Sequence, residues 1–257
     1  MLVLLSCAKT MSAVSKVKVP LTTIPRFQKE AAEIALQMSQ FSVDELERLL
    51  RINAMIAVEN NKRYQAFHAE TTPELPALLA YTGIVFKRLN PKDFSAEDFG
   101  YAQEHLRLTS FCYGLLRPLD VIRAYRLEGD VVLPELGNQT LFSYWRSRLT
   151  DTFIEDIRSA GGILCNLASD EMKSLFDWKR VESEVRVVTP EFHVWKNGKL
   201  ATIVVYTKMS RGEMTRFILK NKIGNPEELK GFSWEGFEFD ESLSDERKLV
   251  FINGMGE

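Results

Sequence analysis

Two short apolar runs without alternation, Leu2–Leu5 and Ile163–Leu167 (with Asn166 as the one polar residue), constrain this chain more than any other feature. A strand with one face in water alternates apolar and polar side chains, whereas an unbroken run belongs to a strand covered on both faces. Each run passes directly into small polar and charged residues. The first ends in Ser6-Cys7-Ala8-Lys9-Thr10, the second in Ser169-Asp170-Glu171. Open α/β sheets place ligand-binding groups just beyond the ends of buried strands, which makes Lys9 a candidate. A solvated loop lysine is the plainer alternative. Ser169 suits a helix N-cap, with Asp170 and Glu171 at the positive end of that helix.

Between the two runs lies Leu106–Glu128. Leu106, Leu108, Phe111 and Tyr113 have the period-two spacing of a strand, and Gly114 and Pro118 then force a turn. Arg107, Arg117, Arg123 and Arg126 surround that turn, with Asp120 and Glu128 among them. Arginine is costly to bury unless its planar fork meets a carboxylate, phosphate or carbonyl. The cluster therefore reads either as a structural ion-pair network or as the rim of an anion site, with Asp120 and Glu128 orienting the guanidinium groups.

Helical spacing predicts a helix over 26–39, with Phe27, Ala31, Ile34, Ala35 and Met38 on one face. Ser42 and Glu45 form a capping box for a second helix, and a third carries Ile56, Asn60, Tyr64 and Phe67. These make a helical hairpin at about 42–68 with Arg48, Arg51, Lys62 and Arg63 as its cations. Hairpins that grip a DNA backbone present free glycine amides to phosphate, and 51–61 holds no glycine. Ala77–Phe86 reads as a strand bent at Gly83. Ser95 with Asp98 caps a further helix ending near His105, and a long helix spans about 140–160 before Gly161-Gly162. Strands follow at 184–189, 192–195 and 200–206, the last two flanking a Lys196–Lys199 hairpin. Ser210 with Glu213 then reads as a capping box, which puts Lys208 and Arg211 at a helix N-terminus with Gly212 open to a ligand. That is a phosphate-site arrangement. Paired strands near Phe237 and Val250 close an acidic C-terminal part.

The expected fold is α+β (mixed α/β): a single domain over 1–257 with a mixed sheet and surrounding helices. A formal net charge of −2 excludes a polycation, so any nucleic-acid surface must come from local clustering. Three scattered cysteines and three scattered histidines suit reduced thiols and give no metal-ligand spacing. No metal, cofactor or membrane span is expected. Met1–Cys7 reads as a first strand rather than a lipoprotein signal, since it lacks a basic segment and its apolar run is short.

Several segments together resemble the YaaA family of bacterial peroxide stress proteins. They are S-C-A-K-T at Ser6–Thr10, F-S-A-E-D-F at Phe94–Phe99, Y-G-L-L-R-P-L-D at Tyr113–Asp120, Y-R-L-E at Tyr125–Glu128, N-L-A-S-D-E at Asn166–Glu171 and R-G-E-M-T-R-F at Arg211–Phe217. They come in the family's order and span nearly the whole chain. Cys7 stands where the family usually has Pro, and Gly129 where it has Met. The resemblance implies a compact α/β fold with a helix-hairpin-helix element and a basic cleft that binds double-stranded or structured DNA. It also implies a cytoplasmic protein, here expected to be a monomer, that limits iron-dependent damage during peroxide stress. It implies no enzymatic activity.

On the DNA reading, Lys9, Arg51, Lys62, Arg63, Arg117, Arg126, Lys208, Arg211 and Arg216 contact the backbone, giving affinity without base readout. A second reading is an enzyme acting on a nucleotide or base. There Ser6–Lys9, Asn166–Glu171 and Lys208–Arg211 converge in one pocket, with Asp120, Glu128, Ser169 and Glu171 as catalytic candidates. A protein-binding scaffold that uses the acidic C-terminal part is a third.

Overall fold

The computed structural model describes residues 1–196 and 198–254. In chain order its strands are β1 (Leu2–Leu5), β2 (Leu75–Pro76), β3 (Leu106–Ser110), β4 (Gly114–Leu116), β5 (Val121–Ile122), β6 (Val132–Leu133), β7 (Gln139–Thr140), β8 (Ile163–Asn166), β9 (Arg186–Lys196), β10 (Lys199–Ala201), β11 (Phe237–Asp240) and β12 (Lys248–Asn253). The α-helices are α1 (Gln28–Met38), α2 (Val43–Leu50), α3 (Ala54–Ala66), α4 (Ala77–Ala80), α5 (Ile84–Leu89), α6 (Ala96–His105), α7 (Leu141–Ser159), α8 (Asp170–Lys173), α9 (Trp178–Glu184) and α10 (Val204–Asn221).

The main sheet is mixed, in the order β11-β12-β9-β8-β1-β3-β4, with β10 added to β9. The apolar runs lie at its centre: β1 pairs in parallel with β3 on one side and β8 on the other. Val3 sits opposite Leu106 and Cys165 at once, so β1 has no free edge, and Leu2–Leu5 are buried on both faces, so the strand needs no alternation. The β8–β9 and β9–β12 pairs are also parallel, while β3–β4, β9–β10 and β11–β12 are antiparallel. Helix α6 packs on β1 and β3, α7 on β4 and β8, and α10 on β9. One continuous core joins them, including Trp145, Phe153 and Phe176.

From β1 the next central strand, β3, lies to one side, and β8 is reached only later on the other. The strand order therefore switches direction beside β1. In parallel sheets the crevice outside the strand ends at such a switch is where ligands bind.

The capping boxes at Ser42/Glu45 and Ser95/Asp98 form as expected, as does the α2–α3 hairpin. Its turn runs through Arg51 in the left-handed region (φ 52°). Gly114 also has positive φ (69°), which lets β3 double back into β4. Gly161 and Gly162 end α7 in the same region. The hairpin expected at Lys196–Lys199 joins β9 to β10, though its Asn197 lies outside the described residues.

Two expectations are corrected. Ala77–Phe86 is helical, as α4 and then α5 beginning after Gly83. Alanine and leucine favour helix, and a short apolar run does not distinguish a strand from a buried helix. Pro76 is the last extended residue, paired with Val121, and the amides of Ala77 and Leu78 bond to the carbonyls of Asp120 and Pro118. The second correction concerns 200–206. Here β10 stops at Ala201, and α10 begins at Val204. Ser210 and Glu213 therefore cap nothing, and Arg211 is not at a helix N-terminus but midway along α10. Val204-Val205-Tyr206 are exposed on the first turn of α10, and their strand preference yields to the helix that continues from them and packs on α5 around Gly212.

Candidate functional site at the strand ends

The residues leaving β1 and β8 are knitted together. The Leu167 amide donates to the Leu4 carbonyl at 3.0 Å and the Ser169 amide to Ser6 Oγ at 2.9 Å, with the two serine hydroxyls 3.2 Å apart. The Cys7 amide donates to Thr109 Oγ1 on β3 at 3.2 Å. Ser169 does precede α8, but its hydroxyl faces Ser6 and makes no capping bond.

Around this floor lies a cavity of about 300 Å³, lined by Ser6–Thr10, Gly83–Phe86, Phe111, Tyr125–Leu127, Ser169, Glu171, Lys208 and Arg211. The three segments expected to converge do so. Lys9 comes from the end of β1, Arg126 from the stretch after β5, and Lys208 and Arg211 from α10.

Glu128 organises one rim. Its carboxylate, only 7% exposed, accepts Arg126 Nε at 2.9 Å and lies 3.0 Å from Lys9 Nζ. Two cations are thus held by one acid, leaving net positive charge. On the opposite wall, Arg211 has no hydrogen bond or ion pair from its guanidinium among the described residues, and its Nε is buried without a partner. Burial lowers its proton affinity, and only the nearby charge of Asp170 offsets this. A desolvated cation without an anion is the feature that most demands a ligand.

Arg211 is held there by an unusual neighbour. Gly212 packs against α5, where a Cβ would overlap the Val85 carbonyl oxygen and lie 2.8 Å from Arg88 Cβ. Gly212 therefore serves helix–helix contact rather than ligand approach. Cys7 lines the cavity as a thiol: burial pushes it up to about 12, aided by the charges of Glu171 and Glu128 and opposed by Thr109.

Other sequence candidates lie elsewhere. Arg117 and Asp120 do not reach the cavity. Asp120, 1% exposed, accepts the Arg117 amide at 2.8 Å, Arg117 Nη2 at 2.9 Å and Thr23 Oγ1 at 2.6 Å, which clamps the Pro118 turn. Arg107 pairs with Asp156 at 2.6 Å and Arg123 with Glu74 at 3.0 Å. The structural reading thus holds for three of the four arginines, and the rim reading for Arg126 with Glu128. Arg216 is bound to Asp93 at 2.5 Å and to the Asn90 carbonyl at 2.8 Å, which fixes α10 to the end of α5. On the helical hairpin Arg51 pairs with Asp130 and Arg63 with Glu59, while Lys62 is exposed. None of these hairpin cations lines the cavity.

The Ile84–Phe86 wall was not legible as part of a site. Its only signal was Gly83 before a short apolar run, which also fits a helix start. Among the described residues no group of three His, Cys, Asp or Glu side chains could hold a metal ion, and no helix is long and apolar enough to cross a membrane.

Comparison with known proteins agrees with the segment resemblance. A family model described as "Peroxide stress protein YaaA" matches residues 1–243. A UPF0246 protein of Bacteroides thetaiotaomicron is 98% identical over 257 residues, all of both chains. One from Bacteroides fragilis is 77% identical, again over all of both. A more distant one from Clostridium beijerinckii is 36% identical, covering 99% of this chain and 98% of its own.

Proposed function

Because the chain belongs to the peroxide stress protein YaaA family, we propose that its strand-end cavity binds a phosphate-bearing nucleotide, free or as one unit of DNA. The observation that carries this is Arg211, a half-buried guanidinium whose buried Nε has no partner, in a cavity that also gathers Lys9, Arg126 and Lys208. Phosphate oxygens would satisfy its donors, and contacts of this type give affinity independent of base sequence. At about 300 Å³ the cavity is at the small end of ligand pockets, which span ~300–1,000 Å³. It suits a single nucleotide unit better than a duplex, and the ion-paired Arg51, Arg63, Arg117 and Arg216 are poorly placed to extend a duplex track. On this reading DNA is engaged through its backbone, and its occupancy limits iron-dependent damage during peroxide stress.

The test is calorimetric titration with deoxyadenosine monophosphate and anisotropy titration with a labelled oligonucleotide, each at several salt concentrations. Both should bind more weakly as salt rises, and Arg211→Ala should weaken both by about tenfold, or ~1.4 kcal/mol. Binding of neither probe, or binding indifferent to Arg211, would defeat the proposal.

A second reading, catalysis on the bound nucleotide or its base, is favoured by one observation. Glu171 lines the cavity beside the Ser6–Ser169 pair, and its carboxylate has no ion pair among the described residues. A free carboxylate there suits acid–base work. Product formation from nucleotides or oligonucleotides, lost in Glu171→Gln, would establish it; none across these substrates would remove it.

A further inference from the structure

A second concavity adjoins the cavity across Phe86, which lines both. It is an open groove of about 950 Å³ between an irregular strap, Ser12–Lys18, and a wall made by α4, α5 and the Pro91–Asp93 turn. The strap is anchored where it leaves the cavity: the Ser12 amide donates to the Ala80 carbonyl at 2.8 Å, and Met11 bridges Tyr81. Lys16 and Lys18 line the groove from the strap, and Lys87 and Lys92 from the opposite wall.

All four lysines are exposed, none has an ion pair among the described residues, and no Asp or Glu lines the groove. Asp93, next to Lys92, is taken by Arg216. Elsewhere in this net-negative chain many surface cations have acid partners, as with Arg51, Arg158 and Arg180. Like charges facing each other without counter-charge repel, and the arrangement is relieved by an extended polyanion.

We propose that this groove is a backbone-binding track for single-stranded nucleic acid, continuing the strand whose terminal nucleotide enters the cavity. This rests on the nucleotide reading of the cavity. A duplex is a stiff rod and could only lie across the mouth, whereas a single strand can turn from one concavity into the next. The floor explains the lack of sequence selectivity expected of the track. Tyr81, Phe86 and Phe94 are buried and offer no ring face for stacking, so lysine–phosphate contacts dominate.

The test compares the full chain with the variant K16Q/K18Q/K87Q/K92Q, all exposed positions where folding should persist, which a thermal melt checks. The probes are labelled twelve-residue oligothymidylate and oligouridylate, a hairpin duplex, polyglutamate and deoxyadenosine monophosphate. Single strands should bind the variant at least tenfold more weakly. Their log–log salt slope should be shallower by about two to three, since each phosphate no longer neutralised accounts for ~0.7. The DNA and RNA arms show whether the 2′-hydroxyl matters, and a weakening of either supports the track. Mononucleotide affinity should be unchanged. An unchanged slope for both single strands would overturn the proposal, as would an equal weakening for the duplex or polyglutamate binding as tight as the oligonucleotides. If the mononucleotide fails to bind while the lysine effect on single strands holds, the cavity reading falls and the groove stands. If the mononucleotide binds and the lysines have no effect, the groove alone falls.

Discussion

Gly212 on α10 lies against Val85 on α5 so closely that no side chain fits between them. The contact sets how the two helices cross, and with them the wall that carries Arg211 and Lys208. Gly212→Ala would gain about 1 kcal/mol of helix propensity, but overpacking against fixed backbone costs about 1–3 kcal/mol. The variant should be net destabilised by up to about 2 kcal/mol and, because Arg211 is the adjacent residue, should also bind the nucleotide more weakly. Chemical denaturation together with calorimetry checks both. A fully stable variant would mean that α5 yields easily.

Arg211→Ala and Arg107→Ala make a contrasting pair. Arg107 is 7% exposed, pairs with Asp156 at 2.6 Å and donates to backbone carbonyls at the end of α6. Removing it leaves Asp156 with only the more exposed Arg26, at 3.1 Å, and takes the donor from those carbonyls, so it should cost about 1.5–3 kcal/mol. Arg211 has no partner to strand, so its removal should leave the melting temperature unchanged or slightly raised. Thermal melts of the two variants decide this, and a large drop for Arg211→Ala would show a structural partner.

Asp98 gives a pH prediction. It is 6% exposed and receives Lys222 at 2.5 Å, Lys220 at 2.9 Å and the Ser95 amide at 2.9 Å. Burial pushes its carboxyl up, but Lys222, Lys220 and Ser95 together hold it well below the usual range. A depressed folded-state value means that its contribution is complete above the unfolded value of ~3.9 and disappears as pH falls through the lower folded value. Asp98→Asn should therefore cost about 2–3 kcal/mol at neutral pH, in line with charged hydrogen bonds. The gap from the parent should narrow steadily below about pH 4. Urea melts at pH 7, 4 and 3 would show it. A gap independent of pH would assign the effect to packing.

Cys7 faces the cavity but should be inert. With its thiol raised to about 12 by burial, almost none is thiolate at neutral pH, and the thiolate is the nucleophile. Iodoacetamide should label Cys7 far more slowly than a free cysteine, at rates that keep rising with pH beyond 10. Rapid labelling at pH 7.5, read by peptide mass spectrometry, would contradict this and point to a reactive thiol.

What the sequence determined by itself were features with local causes. Apolar runs without alternation mark strands covered on both faces, and Leu2–Leu5 and Ile163–Asn166 are the adjacent centre of the sheet. Capping boxes at Ser42 and Ser95 are legible because their hydrogen bonds lie within four residues. The meeting of Ser6–Lys9 with Asn166–Glu171 was also legible, since strand ends in a parallel sheet meet at a switch point, whereas Lys208–Arg211 joins them from inside α10 and not from a strand end. Only the tertiary structure decided the rest. Whether Ser210 caps a helix or lies inside one depends on α10 finding α5 across more than a hundred residues of chain, and no local propensity encodes that contact. The fate of each arginine was likewise undecided in the sequence. Asp120 took Arg117, Asp156 took Arg107, Glu128 was shared between Arg126 and Lys9, and Arg211 was left alone. A cation's role is set by which acid the fold brings within about 4 Å, a distance that sequence spacing does not carry.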